Sequence, residues 1–224
     1  MSYTIHRLPQ HLEDGRANPD WLALRRGRLT ASCAGDMLAT IKTGEAAARR
    51  NLRIKLVLER QPNHRPREGY VSDAMRQGNE REAEARAVYE AITGDMVENT
   101  GFIAHDSLMV GASLDGCVFR PDGTIERILE LKCPEPSAHL SYLRTGKIGA
   151  DYEAQILHSL WLTGADSCCW MSYQPEFSEK LQTRLLTITR ESWSLAIAEY
   201  EKKALAFLAE VDAEVRELEA MEAA

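Results

Sequence analysis

The chain has 224 residues, 44% hydrophobic and 27% charged, an ordinary balance for a soluble globular domain with room for one substantial core. No apolar run approaches the ~20 residues of a membrane span, and the start "MSYTIHRLPQHLEDGR" lacks the apolar stretch of a secretory signal. The five cysteines (33, 117, 133, 168, 169) form no CxxC pair and leave an odd count, which argues against a zinc site or a disulfide framework and for reduced thiols in a cytoplasmic protein.

The net charge of −7 argues against a nucleic-acid partner, but its distribution does not. Residues 1–76 hold fourteen Lys/Arg against eight Asp/Glu, for +6; residues 77–224 hold thirteen against twenty-six, for −13. The basic part is concentrated in "LRRGR" (24–28) and "ARRNLRIK" (48–55). Either these segments meet a polyanion, or they are a solvated helix face.

In chain order, residues 43–60 read as a helix with Thr43 as N-cap. A loop with two prolines and a glycine follows at 61–70. Residues 72–93 read as a long helix ended by Gly94. Strand-like stretches then cover 101–106, 109–120 and 125–133, the last two joined as a hairpin by "PDGT" (121–124). A helix over 150–164 ends at Gly164, strands follow at 167–174 and 183–190, and a last helix spans 192–221. The order predicts an α/β (α+β) fold, a central mixed sheet flanked by helices. It reads as one domain, with a mostly helical part at 1–70, a core at 71–190 and a C-terminal helix at 191–224.

The stretch "ILELKCP" (128–134) carries the chemistry. Leu129 and Leu131 face one side of the strand, Glu130 and Lys132 the other. A charge on a core strand needs a partner. The hairpin brings Asp115, in "SLDG", beside Glu130. Two adjacent carboxylates repel, and a divalent cation between them removes the conflict. Hard oxygen ligands favour magnesium or manganese, and Lys132 then assists an attacking water. A surface Glu/Lys pair is the plainer alternative. In the helix 72–93 an apolar stripe of Met75, Gly78, Ala85, Tyr89 and Ile92 encloses Glu82, while Glu80 and Glu84 fall off it. In the helix 150–164, Gln155 shares a face with Tyr152 and Ser159, and a buried amide also asks for a partner.

The ordered set Glu82, Asp115, Glu130-Leu131-Lys132, Gln155 resembles the PD-(D/E)XK nuclease superfamily with its restriction-endonuclease-like core. More closely it resembles the phage lambda exonuclease-like, YqaJ-type viral recombinases. "DWLALRRGRLTAS" (20–32), "GNEREAEARAVYEAITG" (78–94), "SLDG", "ELKCP" and "YEAQILHSLW" (152–161) match that family's motifs in order. The resemblance implies a magnesium-dependent 5′→3′ exonuclease of linear double-stranded DNA, with manganese able to substitute in a two-metal site. It implies Asp115, Glu130 and the Leu131 carbonyl as metal ligands, Glu82 completing the second metal site or the base network, Lys132 at the attacking water as base or electrostatic aid, and Gln155 orienting water or phosphate. It implies a 5′-phosphate pocket of Arg25, Thr30, Ser32 and Ser113, with Met75 as an apolar wedge at the DNA end. A basic residue expected just after "ELKCP" is missing, and His139, when protonated, is the candidate to replace it. A ring-shaped homotrimer threaded by DNA, whose channel the basic segments would line, a single-strand annealing partner and a phage or prophage origin in the bacterial cytoplasm are further implications. A restriction or repair endonuclease, and a non-catalytic DNA-binding module on the same fold, are the alternatives.

Overall fold

The computed structural model describes residues 2–64 and 73–223, with side chains described from Arg81 onward in the helix that starts at Asp73. Among the described residues the α-helices and strands are, in order, β1 (Tyr3–His6), α1 (Pro19–Arg25), β2 (Leu29–Thr30), α2 (Ala34–Leu38), α3 (Ala47–Glu59), α4 (Asp73–Thr93), β3 (Phe102–His105), β4 (Val110–Ala112), β5 (Gly116–Phe119), β6 (Ile125–Lys132), α5 (Pro136–Thr145), α6 (Ala150–Thr163), β7 (Ser167–Tyr173), β8 (Thr183–Thr189) and α7 (Ser194–Glu222). The α/β character and the helices and strands expected from residue 72 on are present to within about two residues, with one exception at 109–120.

That stretch is not one strand. It breaks at Ser113-Leu114-Asp115, and its halves join different sheets, in the orders β1-β3-β4-β2 and β5-β6-β7-β8. The expected central sheet is therefore two four-stranded mixed sheets. Gly111 shows why the first half is fixed: a Cβ there would lie 2.4 Å from Phe102 Cζ and 2.9 Å from the Ile103 carbonyl, so β3 and β4 approach closely only because the residue is glycine. The hairpin prediction holds for the second half. β5 and β6 pair antiparallel with Gly116 opposite Leu129, and Gly123 takes the left-handed turn position at φ 82°.

β6 is covered on both sides, which explains its nearly unbroken apolar run. Leu129 and Leu131 pack with Ala85 and Tyr89 of α4 and with Cys169, Met171 and Tyr173 of β7. Ile128 joins the larger core, where Trp161 of α6, Trp170 of β7, and Tyr200 and Phe207 of α7 meet. Full burial also fixes a histidine at the junction of three elements: His158 on α6 donates Nε2–H to the Gly111 carbonyl at 3.0 Å and accepts the Tyr200 hydroxyl at Nδ1, 2.7 Å away.

Other expectations need correction. The helix predicted from residue 43 begins at Ala47, with Ala46 in the capping position and no side-chain cap; Thr43 lies outside it. Ile92 is exposed rather than part of the inward stripe of α4. The basic residues of 24–28 and 48–55 are largely engaged within the fold. Arg49 pairs with Glu45 and Glu210; Arg53 pairs with Glu45, Glu210 and Glu214. Together they lash α3 to α7. Arg26 donates to the carbonyls of Glu59 and Gln61, and Arg28 to those of Leu24 and Leu108. All five cysteines are free thiols. Among the described residues no helix is long and apolar enough to cross a membrane.

Candidate active site

β6 and β7 run parallel, so their C-terminal ends, at Lys132 and Tyr173, open on the same side, and in open α/β sheets that end is where ligands bind. Glu130 and Lys132 project there from β6. Glu130 is 1% exposed, and its carboxylate accepts a hydrogen bond from the Lys132 ammonium. Lys132 Nζ also lies 3.7 Å from Asp115 Oδ2 and 5.5 Å from the centre of the Tyr152 ring on α6, a cation–π contact. Gln155 is half-buried one turn further along the same face of α6. Asp115 sits just before β5, and its Oδ2 accepts the Leu131 amide at 2.7 Å. A strand residue's N–H and C=O point to the same side. The Leu131 carbonyl therefore also opens toward Asp115, where β5 no longer pairs with β6.

The third carboxylate comes from α4. Glu82 lies one turn before the buried Ala85, and its Oε1 accepts from Arg86 Nη2 at 3.2 Å. The same nitrogen donates to the backbone carbonyl of Asp115 at 2.7 Å. Two further bonds seat this helix: Tyr173 donates to Glu84 at 2.7 Å and Tyr89 donates to Asp95 at 2.7 Å. Sequence reasoning missed Arg86 and Tyr152 as members of the site. The first was signalled by its spacing of four from Glu82, the second by its place three before Gln155.

Electrostatics follows from this crowding. Burial, and then the charge of Asp115, hold both Glu82 and Glu130 well above the ordinary carboxylate range. Burial alone would lower the Lys132 pKa, but Glu130 and Asp115 outweigh it and raise it. Burial is the main cause for the two glutamates, and the negative charge of neighbouring carboxylates pushes all three groups the same way. Oxygen donors with uncompensated negative charge are the donor set of a hard divalent cation, and Asp115, Glu130, the Leu131 carbonyl and Glu82 fit it by chemistry. As they stand, no three His, Cys, Asp or Glu side chains among the described residues converge as ligands, because the Glu130 carboxylate is turned to Lys132 and Asp115 to the Leu131 amide.

The second cluster of predicted residues also comes together. Arg25 Nη2 donates to Ser32 Oγ at 2.6 Å and to Thr30 Oγ1 at 3.3 Å, and its guanidinium lies over the Trp21 ring at 5.1 Å. Burial lowers the Arg25 pKa, although an arginine stays charged. Thr30 pairs with Gly111 in the parallel β2–β4 ladder. Ser32 and Ser113, each two residues further on, therefore leave the first sheet at the same end. Ser113 donates its hydroxyl to the Gly101 carbonyl at 3.1 Å and must turn from it to serve an anion. A cavity of about 660 Å³ lies against Arg25, Thr30, Arg26, Lys55 and His64.

His139 is not in either cluster. It is fully buried, bonded through Nδ1 to Ser172 at 2.7 Å and through Nε2 to the Leu181 carbonyl at 2.8 Å. Both nitrogens are occupied within the core, so His139 does not replace the missing basic residue. The Met75 side chain lies outside the described residues.

This architecture and these motifs recur in known proteins. Residues 20–166 match the model of the YqaJ-like viral recombinase domain. The alkaline exonuclease LHK-Exo from Laribacter hongkongensis is 32% identical; the match covers 92% of this chain and 98% of that one, with a TM-score of 0.78. The same protein in complex with dAMP superposes with a TM-score of 0.79 at equal identity and coverage. A phage-related exonuclease from Haemophilus somnus 129PT, 13% identical, covers 85% of this chain and 96% of its own with a TM-score of 0.60, a likeness of fold. No curated protein sequence gives a significant match. The family match spans more than half of the chain and includes Glu82, Asp115, Glu130, Lys132 and Gln155; the chain belongs to the YqaJ-like viral recombinase family.

Proposed function

We propose that this chain is a magnesium-dependent exonuclease that degrades the 5′-phosphorylated strand of linear double-stranded DNA to mononucleotides and leaves a 3′ single-stranded tail for recombination. The observation that carries the reading is the grouping of Asp115, Glu130 and Lys132 at the open end of β6, in a chain related to alkaline exonucleases. The dAMP held by LHK-Exo is the kind of mononucleotide such a reaction would release.

Asp115, Glu130 and the Leu131 carbonyl would hold a magnesium ion, with Glu82 adding a ligand for a second; manganese would be accepted by the same oxygens. When bound, the ions lower the energy of charge developing on the phosphate and the leaving oxygen. The chain's own groups do the rest. Lys132, tethered between Glu130 and the Tyr152 ring, stands beside the attacking water. Gln155 presents an amide that can orient that water or a phosphate oxygen. Arg25, Thr30, Ser32 and Ser113 receive the terminal 5′-phosphate, the guanidinium by charge-assisted hydrogen bonds and the hydroxyls as donors. Met75 is the proposed wedge at the DNA end. We read the chain as one nuclease domain that works as a homotrimer with a single-strand annealing protein, in the cytoplasm of a bacterium carrying phage or prophage genes. Family membership supports those last points.

The deciding experiment compares linear 5′-phosphorylated, linear 5′-hydroxyl and closed circular duplexes in magnesium, with wild type and Lys132→Ala. Mononucleotide release from the phosphorylated linear duplex, absent in Lys132→Ala, is expected. Cutting of closed circles would replace this reading with an endonuclease on the same fold. No magnesium-dependent release from any substrate would leave a DNA-binding module.

A further inference from the structure

Among the described residues, Arg86 is the cation that touches α4 and the entry to β5 at once. Its Nη2 donates to Glu82 Oε1 at 3.2 Å and to the Asp115 backbone carbonyl at 2.7 Å, while its Nε is buried without a partner. A glutamate and an arginine four apart on a helix are by themselves a commonplace solvated pair. The Asp115 bond is different, because it reaches 29 residues along the chain to the main chain of a proposed metal ligand. Asp115 is thus gripped twice: Arg86 takes its carbonyl, and its own carboxylate takes the Leu131 amide. One bond to the backbone and one to the side chain restrain both its position and its rotation.

The two cations divide the carboxylates between them. Lys132 lies against Glu130 and Asp115; Arg86 lies against Glu82 and the Asp115 backbone. A divalent ion entering between Asp115 and Glu130 competes with Lys132 for the same oxygens. It does not compete with Arg86 for Asp115, because Arg86 holds the peptide carbonyl of that residue and not its carboxylate. One cation of the pair can yield and the other stays.

We infer that Arg86 is a positioning residue for the proposed hydrolysis, holding the Glu82 carboxylate and the Asp115 backbone in one arrangement so that oxygens from α4, the β4–β5 crossing and β6 can serve the proposed metal site. The inference rests on the nuclease reading for its substrate, but its metal-binding half can be tested alone. The variants are Arg86→Ala, Arg86→Lys, which keeps charge and a donor, and Arg86→Gln, which keeps a donor alone. Two measurements are made on each: kcat and KM on a 5′-phosphorylated linear duplex, and manganese affinity without DNA by electron paramagnetic resonance. Loss of a group that orients metal ligands weakens metal binding or turnover by ~10- to 100-fold. Arg86→Ala should lose that much in kcat and in manganese affinity, with KM for DNA within about threefold of wild type. Arg86→Lys should recover most of both, and Arg86→Gln less. If Arg86→Ala does not fold, the order of Lys over Gln carries the test. Wild-type kcat and manganese affinity in Arg86→Ala overturn the inference. So does a rise in KM alone, which would make Arg86 a DNA contact. Weakened manganese binding in Arg86→Ala, with a wild type inactive on every DNA, would sustain the positioning role and sink the nuclease reading.

Discussion

The Asp115 carboxylate accepts the Leu131 amide at 2.7 Å, across the mouth of the β5–β6 hairpin. An asparagine has an acceptor of the same shape and can keep this bond, but it brings no charge. Asp115→Asn should therefore fold like wild type and lose at least ~100-fold in magnesium-dependent nucleotide release. Near-wild-type turnover in a folded Asp115→Asn protein would remove Asp115 from the metal site.

Glu130 is a buried carboxylate in a neighbourhood already rich in negative charge. Burying such a charge is costly unless a partner compensates it. In chelator at pH 8, Glu130→Gln should be as stable as wild type or more so, because the amide still accepts from Lys132. Adding magnesium should raise the thermal midpoint of wild type, since a ligand bound only by the folded state stabilises it, and should barely move that of Glu130→Gln. Differential scanning calorimetry with and without magnesium reads both. A variant that unfolds in chelator would mark Glu130 as a structural ion-pair partner instead.

In the proposed phosphate pocket, Arg25 would distinguish one kind of DNA end from another. Its guanidinium already holds the hydroxyls of Ser32 and Thr30, leaving their protons free for an incoming anion. Arg25→Ala should raise KM for 5′-phosphorylated duplexes ~10-fold or more, the worth of a charged hydrogen bond, and leave 5′-hydroxyl duplexes nearly unaffected. Equal effects on both ends would show that Arg25 supports the fold of α1 rather than a phosphate.

On charge alone Arg49 and Arg53 are candidates for a DNA channel. Their carboxylate partners on α7 and at Glu45 point to a different outcome. Replacing both with alanine should lower stability by ~1 kcal/mol, the upper range for partly exposed pairs, and leave the salt dependence of DNA digestion unchanged. Removing a side chain that neutralises a phosphate would instead flatten that dependence by ~1 in log–log slope. A flatter slope would restore the channel.

Burial pushes the His158 pKa down to about 4, while in the unfolded chain it titrates near ~6.5. The unfolded chain therefore binds the proton more tightly. Stability from this residue is complete above pH ~6.5, falls as the pH is lowered toward 4, and is down by ~3 kcal/mol below both values. Urea unfolding across pH 7 to 4 should show this loss in wild type and a flatter profile in His158→Gln.

How much of the fold and site is legible in the sequence depends on whether the signal is local. The alternation in β6 is local, and it correctly places Glu130 and Lys132 opposite Leu129 and Leu131. The long helices carry their own periodicity, and Gly94 and Gly164 mark their ends at φ 75° and 72°. The break at Ser113–Asp115 cannot be read there, because Val110 to Phe119 is a plausible continuous strand and β2, which pairs with its first half, lies far away in sequence. β1 and β2 are short, 4 and 2 residues, and exist only by pairing with distant strands. Basic residues show charge but not what answers it, so Arg49, Arg53 and Arg28 read as surface. His139 misleads for a related reason: the sequence shows an imidazole near the site, and only the packing of Ser172 and Leu181 turns it inward.

The crossing between the two sheets has a further consequence. Ser113 closes one cluster and Asp115 opens the other, with a single residue between them, and a two-residue span of backbone is at most ~7 Å long. If a terminal phosphate rests at the first and the phosphate to be cut lies at the second, the interval is a covalent gauge. Bond lengths set its upper limit whatever the backbone dihedrals, and that limit is on the scale of one nucleotide. The unit of product would then be measured by the enzyme's own backbone at the point where it leaves one sheet for the other.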